Sequence, residues 1–346
     1  MEIVNVFDRY NVYIGSGILG NINGIINLDN FSKVIVITDE NIPANYLKQF
    51  EKITVPPGEK SKNIETVKLI WEKMLELGCD RKSLIINLGG GVIGDMGGFA
   101  ASCYMRGVKF LQVSTTLLSS VDASVGGKVG IDFNGVKNLI GTFNQPIGVV
   151  IDIDTFNSLS DREFISGFAE IIKHGIIADT EYFKNVTSKK PGEFSKEELI
   201  EIIKRSCEIK AQIISDDEKE AGNRKLLNFG HTVGHAIEGI SLETDDPLLH
   251  GEAVSIGMVA EAKISKELGL IDGVTAEKIK ESLMFVGLPV SYSVEDFEKF
   301  SSLIGKDKKT ESGKIRWTLV KGFGEAAINQ EVPEDVIKKS LAYISQ

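Results

Sequence analysis

Residues 83–98 read SLIINLGGGVIGDMGG. An apolar, β-branched run stops at a cluster of glycines, and a second apolar stretch follows, which predicts strand, tight turn and helix. Glycines at such a turn let backbone approach a ligand closely or pass through φ > 0. Outward from it the same alternation recurs. KVIVITD (33–39) is a short strand pattern ending at Asp39, and IETVKLIWEKMLELG (64–78) has helical period and stops at Gly78. VKFLQVSTT (108–116) and GVVIDI (148–153) repeat the strand pattern. Strands alternating with helices predict an α/β domain over residues 1–155 with a mainly parallel sheet. Ligands of such sheets sit beyond the carboxyl ends of the strands. Asp39, Gly89–Gly94 and Thr115–Thr116 fall at those ends.

From residue 156 the period changes to that of helices. REFISGFAEIIKHGIIA (162–178), KEELIEIIKRSCEIKAQIIS (196–215), KLLNFGHTVGHAIEGIS (225–241), EAVSIGMVAEAKISKELG (252–269) and TAEKIKESLMFVG (275–287) each read as one helix. KIRWTLVKGFGEAAI (314–328) reads as a β-hairpin. A helical C-terminal domain over 156–346 is expected, and the length of 346 residues suits two domains.

Composition narrows the function classes. With 39 Lys+Arg against 49 Asp+Glu the net charge is -10, which argues against general nucleic-acid or membrane-surface binding. Hydrophobic content of 42% and charged content of 25% exclude disorder as the main state. Cys79, Cys103 and Cys207 form no CxxC pair, which suits a reducing cytosol and offers no thiolate metal cluster. MEIVNVFDRYNVYIG has no signal-peptide pattern, and no apolar stretch approaches the roughly 18 residues of a membrane span. A cytoplasmic protein is expected.

Three sets of residues could carry chemistry. Gly89-x-Gly91-x-x-Gly94 formally matches a dinucleotide fingerprint, but an earlier strand precedes it, so a plain tight turn competes with a pyrophosphate cradle. In the second case Asp39 is the candidate ribose partner. All four histidines lie beyond residue 173: His174, His231, His235 and His250. His231 and His235 share one helix face, and His250 opens the next helix. Two imidazoles one turn apart can bind one metal, or one can ligate while the other moves protons. A further donor is needed, and Glu170 and Glu238 are the candidates. Finally, DASVGGKVG (122–130) sets Asp122 and Lys128 around two glycines, with Lys137 and Asn138 following. Lys173, Lys210 and Arg224 recur in the helical part. Solvated surface cations are the bland reading; if they converge, they make a pocket for a small, multiply charged anion.

Longer segments are recognisable. GGGVIGDMGGFAASCYMRG (89–107), QVSTTLLSSVDASVGGKVGID (112–132), VKNLIGTFNQP (136–146), GFAEIIKHG (167–175), LLNFGHTVGHAIE (226–238), LHGEAVSIGM (249–258) and DKK (307–309) resemble, in order, the 3-dehydroquinate synthase family of sugar phosphate cyclases. The resemblance implies a Rossmann-like NAD-binding domain and a helical domain carrying zinc or cobalt. It implies metal ligation by Glu170, His231 and His250, and proton transfer and phosphate contact by His235. Glu220 is implied as a second acid/base, with Lys173 and Arg106 in the catalytic set. NAD contacts are implied at Asp39, Asn41, Glu59, Lys62, Gly90, Gly91, Val92, Asp95, Thr115, Thr116, Lys137, Thr155 and Ser158. Substrate contacts are implied at Asp122, Lys128, Asn138, Lys210, Arg224, Asn228 and a lysine of the DKK run, Lys308. The equivalent of Arg106 reaches a neighbouring subunit, which implies a homodimer. The implied reaction converts 3-deoxy-D-arabino-heptulosonate 7-phosphate to 3-dehydroquinate and phosphate, in the shikimate pathway. It proceeds by NAD-mediated oxidation, β-elimination, reduction and intramolecular aldol closure.

The pattern departs from the family at Ser166, where many relatives have Asn, at His174, and in the linker SLETDDPLL (241–249). Three readings compete: another cyclase such as 2-deoxy-scyllo-inosose synthase, a metal-dependent polyol dehydrogenase, and a non-enzymatic protein that kept the fold.

Overall fold

The computed structural model describes residues 1–215, 217–218, 220, 222–306, 310–311 and 314–346. They form two compact units, residues 1–160 with 196–211, and residues 161–195 with 212–346.

The first unit is built on a seven-stranded sheet. Its strands are β1 (Glu2–Val6), β2 (Tyr10–Gly15), β3 (Val34–Asp39), β4 (Glu51–Val55), β5 (Leu84–Gly89), β6 (Lys109–Ser114) and β9 (Val149–Asp152), in the order β1-β2-β9-β6-β5-β3-β4. Only β1–β2 pair antiparallel; the other neighbours run parallel. The carboxyl ends Asp39, Gly89, Ser114 and Asp152 therefore share one edge. All of β5 is buried, as expected of a central parallel strand covered on both faces. Helices α1 (Ile22–Ile25), α2 (Ile64–Glu76), α3 (Gly91–Cys103) and α4 (Leu117–Val121) belong to this unit. Asn63 starts α2 by accepting the Thr66 N–H at 3.0 Å. Val67, Ile70 and Met74 of α2 pack with Ile93, Met96 and Phe99 of α3 on one face of the sheet. Leu19, Ile22 and Leu28 cover the other.

DASVGGKVG is not all loop. Lys128 opens β7 (Lys128–Phe133), which pairs with β8 (Val136–Phe143) in a separate antiparallel hairpin. Gly130 and Gly141 face each other across it, where a Cβ on either would meet the opposite strand's carbonyl at 2.7 and 2.4 Å. Phe133, Leu139 and Phe143 remain exposed on the hairpin.

The second unit holds α5 (Asp161–Ala178), α6 (Thr180–Val186), the end of α7 (Lys196–Ser215), α8 (His231–Ser241), α9 (His250–Glu267), α10 (Gly273–Phe285), α11 (Phe297–Lys306) and α12 (Glu334–Ile344). Beside the two-residue strands β10 (Thr310–Glu311) and β11 (Lys314–Ile315), the expected hairpin forms from β12 (Trp317–Gly322) and β13 (Glu325–Gln330). Residues 225–241 do not make one helix. A 3-10 stretch, Asn223–Asn228, is followed by Gly230 at φ 82, and α8 begins only at His231. Apolar period continues through this break, so periodicity does not reveal it. No helix among the described residues is long and apolar enough to cross a membrane.

Candidate active site

In the second unit, α5, α8 and α9 bring four of the expected residues together. Glu170 of α5 is fully buried, and neither of its carboxylate oxygens has a hydrogen-bond partner of acceptable geometry. His231 Nε2 stands 3.5 Å and His250 Nε2 4.0 Å from Glu170 Oε1. His235 joins them: one ring nitrogen from each of the three histidines lies within 4.8 Å of the others. Ligand bonds of 2.0–2.2 Å in a tetrahedron put donor atoms roughly 3.3 Å apart, so this set is nearly at chelating distance. A buried carboxylate without hydrogen bonds, faced by two imidazole nitrogens, fits a divalent cation.

The far side of each ring fixes its orientation. His231 Nδ1 lies 3.2 Å from the Phe229 carbonyl and His250 Nδ1 3.4 Å from Glu238 Oε2. Such partners hold the proton on Nδ1 and leave Nε2 as the donor atom. Glu238, an alternative third donor on spacing alone, is thus the outer partner of His250.

Glycines let these helices meet. A Cβ on Gly257 of α9 would lie 1.9 Å from the Gly230 carbonyl oxygen, and one on Gly251 1.9 Å from that of Ser166. Ser166 accepts the Gly251 N–H at 3.1 Å, tying α5 to the first turn of α9. Arg162 grips Glu252 through two 2.7 Å hydrogen bonds and Asp246 at 2.8 Å, fastening the 241–249 linker beside His250. Hydrogen bonding to Glu252 pushes the Arg162 pKa further up.

Residues missed on the sequence include Arg162, Glu252 and Glu261. Glu252 carried a signal, since it sits three residues after Leu249 and accepts the Leu249 N–H at 2.7 Å as a capping box does. Glu261 lies four residues after Gly257 and so shares its helix face.

Lys173 is buried and ion-paired with Glu170. Arg224 is also buried and donates to the Glu218 carbonyl at 2.6 Å; Asn228 donates to Glu220 at 2.7 Å. Lys308 lies outside the described residues.

The glycine turn is in the first unit. Gly90 precedes α3 and provides no side-chain cap, so the first N–H groups of the helix point outward from the sheet edge. A Cβ on Gly90 would meet Thr116 Cγ2 at 3.0 Å. Thr115 Oγ1 is buried without a hydrogen-bond partner. A helix start free of side chains beside a buried, unsatisfied hydroxyl fits a dinucleotide phosphate. Val92 follows in the first turn. Asp39 ends β3 and accepts the Asn41 N–H at 2.9 Å. Thr155 and Ser158 donate at 2.7 Å to the carbonyls of Asp152 and Thr155.

Lys62 is only 4% exposed and donates to Asp95 at 2.7 Å and to Asn138 at 2.6 Å. Burial works against its charge, but Asp95 and Glu59 outweigh it and its pKa rises. Burial also pushes the Asp95 carboxyl up, against the pull of Lys62. This network joins an expected NAD contact to an expected substrate contact on β8, the strand that also carries Lys137. Lys210, on the part of α7 grouped with the first unit, is buried and donates to the Asp122 carboxylate and carbonyl. Arg106 and Lys128 are exposed, and Arg106 has φ 68. Lys173, Lys210 and Arg224 are therefore not the solvated residues of the bland reading.

Family models described as 3-dehydroquinate synthase N-terminal and 3-dehydroquinate synthase C-terminal match residues 52–166 and 167–310. The chain is 43% identical over 348 aligned positions to "3-dehydroquinate synthase" of Alkaliphilus metalliredigens (strain QYMF), covering 97% of each chain. Among solved structures it is similar to 2-deoxy-scyllo-inosose synthase complexed with carbaglucose-6-phosphate, NAD+ and Co2+, with a TM-score of 0.87, 25% identity and 98% of each chain covered. It is equally similar, at TM-score 0.87 and 25% identity over 100% of this chain and 98% of the other, to 2-epi-5-epi-valiolone synthase from Streptomyces hygroscopicus subsp. jinggangensis 5008 with NAD+ and Zn2+ bound. Matches to both halves, and to a curated relative over nearly its whole length, place the chain in the 3-dehydroquinate synthase family.

Proposed function

We propose that the protein is an enzyme of the 3-dehydroquinate synthase type, converting 3-deoxy-D-arabino-heptulosonate 7-phosphate to 3-dehydroquinate and phosphate in the shikimate pathway. The observation that carries this reading is the convergence of Glu170, His231 and His250 on one point, with His235 beside them.

Glu170, His231 and His250 would hold zinc or cobalt, which when bound supplies Lewis-acid polarisation of substrate oxygens. The α3 start at Gly90, Gly91 and Val92, with Thr115, Thr116 and Asp39, would hold NAD, which when bound supplies reversible hydride transfer. The remaining work belongs to the chain. His235 sits close enough to the other imidazoles to move a proton at a substrate oxygen without being needed as a ligand. Lys173 pairs with Glu170 and holds it in place. Arg106, Lys128, Asn138 and His235 bind the substrate phosphate, and Lys210 and Arg224 its carboxylate. Glu220, held by Asn228, is the second acid/base. NAD would be needed only in catalytic amounts.

The protein acts as a cytoplasmic homodimer. Exposed Met105 beside Arg106, and the exposed Phe133, Leu139 and Phe143, offer apolar surface for a second copy.

The test incubates the protein with the heptulosonate phosphate, substoichiometric NAD and Zn2+ or Co2+, following phosphate and carbocycle. One phosphate and one 3-dehydroquinate per substrate are expected, without net NADH. Stoichiometric NADH would point to a polyol dehydrogenase, and turnover of a substrate lacking the carboxylate in preference would point to another cyclase. His235→Ala should retain metal and lose turnover; loss of metal as well would make His235 a ligand.

A further inference from the structure

His231 is the first residue of α8, so a cation bound to it lies against the helix end where free N–H groups and the macrodipole leave positive charge. The α8 N-cap, Gly230, has no side chain to offset this. Glu261 of α9 does so instead. Fully buried, it accepts the Gly230 N–H at 2.6 Å on Oε2 and the Val233 N–H at 3.0 Å on Oε1. We infer that Glu261 is a positioning residue of the metal centre: it sets metal affinity through α8, by holding the turn that presents His231 and by placing negative charge behind it. The inference rests on the proposed role of Glu170, His231 and His250 as metal donors.

A further observation strengthens it. Gly257, on the Glu261 face of α9, leaves no space between its own position and the Gly230 carbonyl, so the α8 start is held by backbone contact as well as by the carboxylate.

The test compares the full-length protein with Glu261→Gln, which keeps the shape and removes the charge, and Glu261→Asp, which keeps the charge and withdraws it from Gly230 and Val233. Zinc affinity is read by chelator competition on metal-stripped protein, and ligand geometry by the visible absorption of the cobalt(II) form. Glu261→Gln should bind zinc roughly 10–100-fold more weakly with unchanged far-ultraviolet dichroism, the range known for outer-sphere changes. Glu261→Asp should lose less affinity and shift the cobalt spectrum. Should Glu261→Gln not fold, the aspartate variant decides: affinity and spectrum both identical to the parent overturn the inference. Equal losses in the two variants, or a glutamine variant within about twofold of the parent, overturn it too. A parent that binds no zinc or cobalt removes the metal reading and this inference together; a parent that binds beside an unaffected glutamine variant removes the inference alone.

Discussion

At the start of α3 a Cβ on Gly91 would lie 3.4 Å from Ala123 Cβ, an ordinary contact, whereas on Gly257 of α9 it would fall 1.9 Å from the Gly230 carbonyl oxygen. The two units use glycine for opposite ends. In the first, Gly90 and Gly91 keep side chains away from a helix start and leave its N–H groups open. In the second, Gly230, Gly234, Gly251 and Gly257 let helices touch backbone to backbone, and the imidazoles converge as a result. The first glycine motif is itself divided: Cβ atoms on Gly97 and Gly98 would strike Asn87 Oδ1 at 2.2 Å and Val129 Cγ1 at 2.5 Å, so these two serve packing. One glycine-rich segment thus serves two purposes, leaving a helix start bare at Gly90 and Gly91 and admitting neighbouring side chains at Gly97 and Gly98.

The contrast can be broken most sharply at the donors themselves. Glu170→Ala and His250→Ala should each lose bound zinc and turnover together, with affinity falling more than about 100-fold, beyond the outer-sphere range. Metal content by elemental analysis beside a phosphate-release assay checks this, and either variant retaining metal and full rate would discard the ligand set. Gly257→Ala comes next. Rigid backbone opposes the new methyl, so a stability loss of about 3 kcal/mol is expected in urea unfolding, toward the upper end for overpacking. Gly91→Ala should do the reverse, leaving stability within about 1 kcal/mol. Its NAD affinity should drop about tenfold by titration, the worth of one spoiled hydrogen bond of roughly 1.4 kcal/mol; an unchanged affinity would reduce the turn to packing. The smallest effect is chemical. Burial pushes the Cys207 thiol up to about 12, and Cys207 donates to the Ser120 carbonyl. At pH 8 exposed Cys103 should alkylate while Cys207 stays protected, as mass spectrometry of tryptic peptides would show. Early labelling of Cys207 would mean that α7 does not stay docked on the first unit.

Legibility followed the physics of each signal. The β5–Gly–α3 turn was readable because a buried strand, a glycine run and a helix each have a local pattern. The pairing of His231 with His235 was readable from helical period alone. Glu170 was not distinguishable from Glu238 by spacing, because the choice depends on which helix faces the rings. Gly230 hid inside a continuous apolar period, since one left-handed residue leaves the pattern on either side intact. Glu261 reads as any helix carboxylate, because its hydrogen bonds to the α8 start join positions 28 and 31 residues apart. The β7–β8 hairpin was missed because its facing glycines remove the alternating side chains that mark a strand. At seven residues α6 is too short for its period to mark it.

The first unit is not continuous along the chain. Residues 196–211 complete it, bringing Lys196 to Asp154, Lys204 to Glu2 and Lys210 to Asp122. During synthesis, then, the sheet must wait for about fifty residues beyond Ser160 to leave the ribosome. At roughly 5–20 residues per second this leaves several seconds in which its α7-binding surface is bare. A chaperone would find its substrate in that interval, and a gene cut after residue 160 would make the exposure permanent.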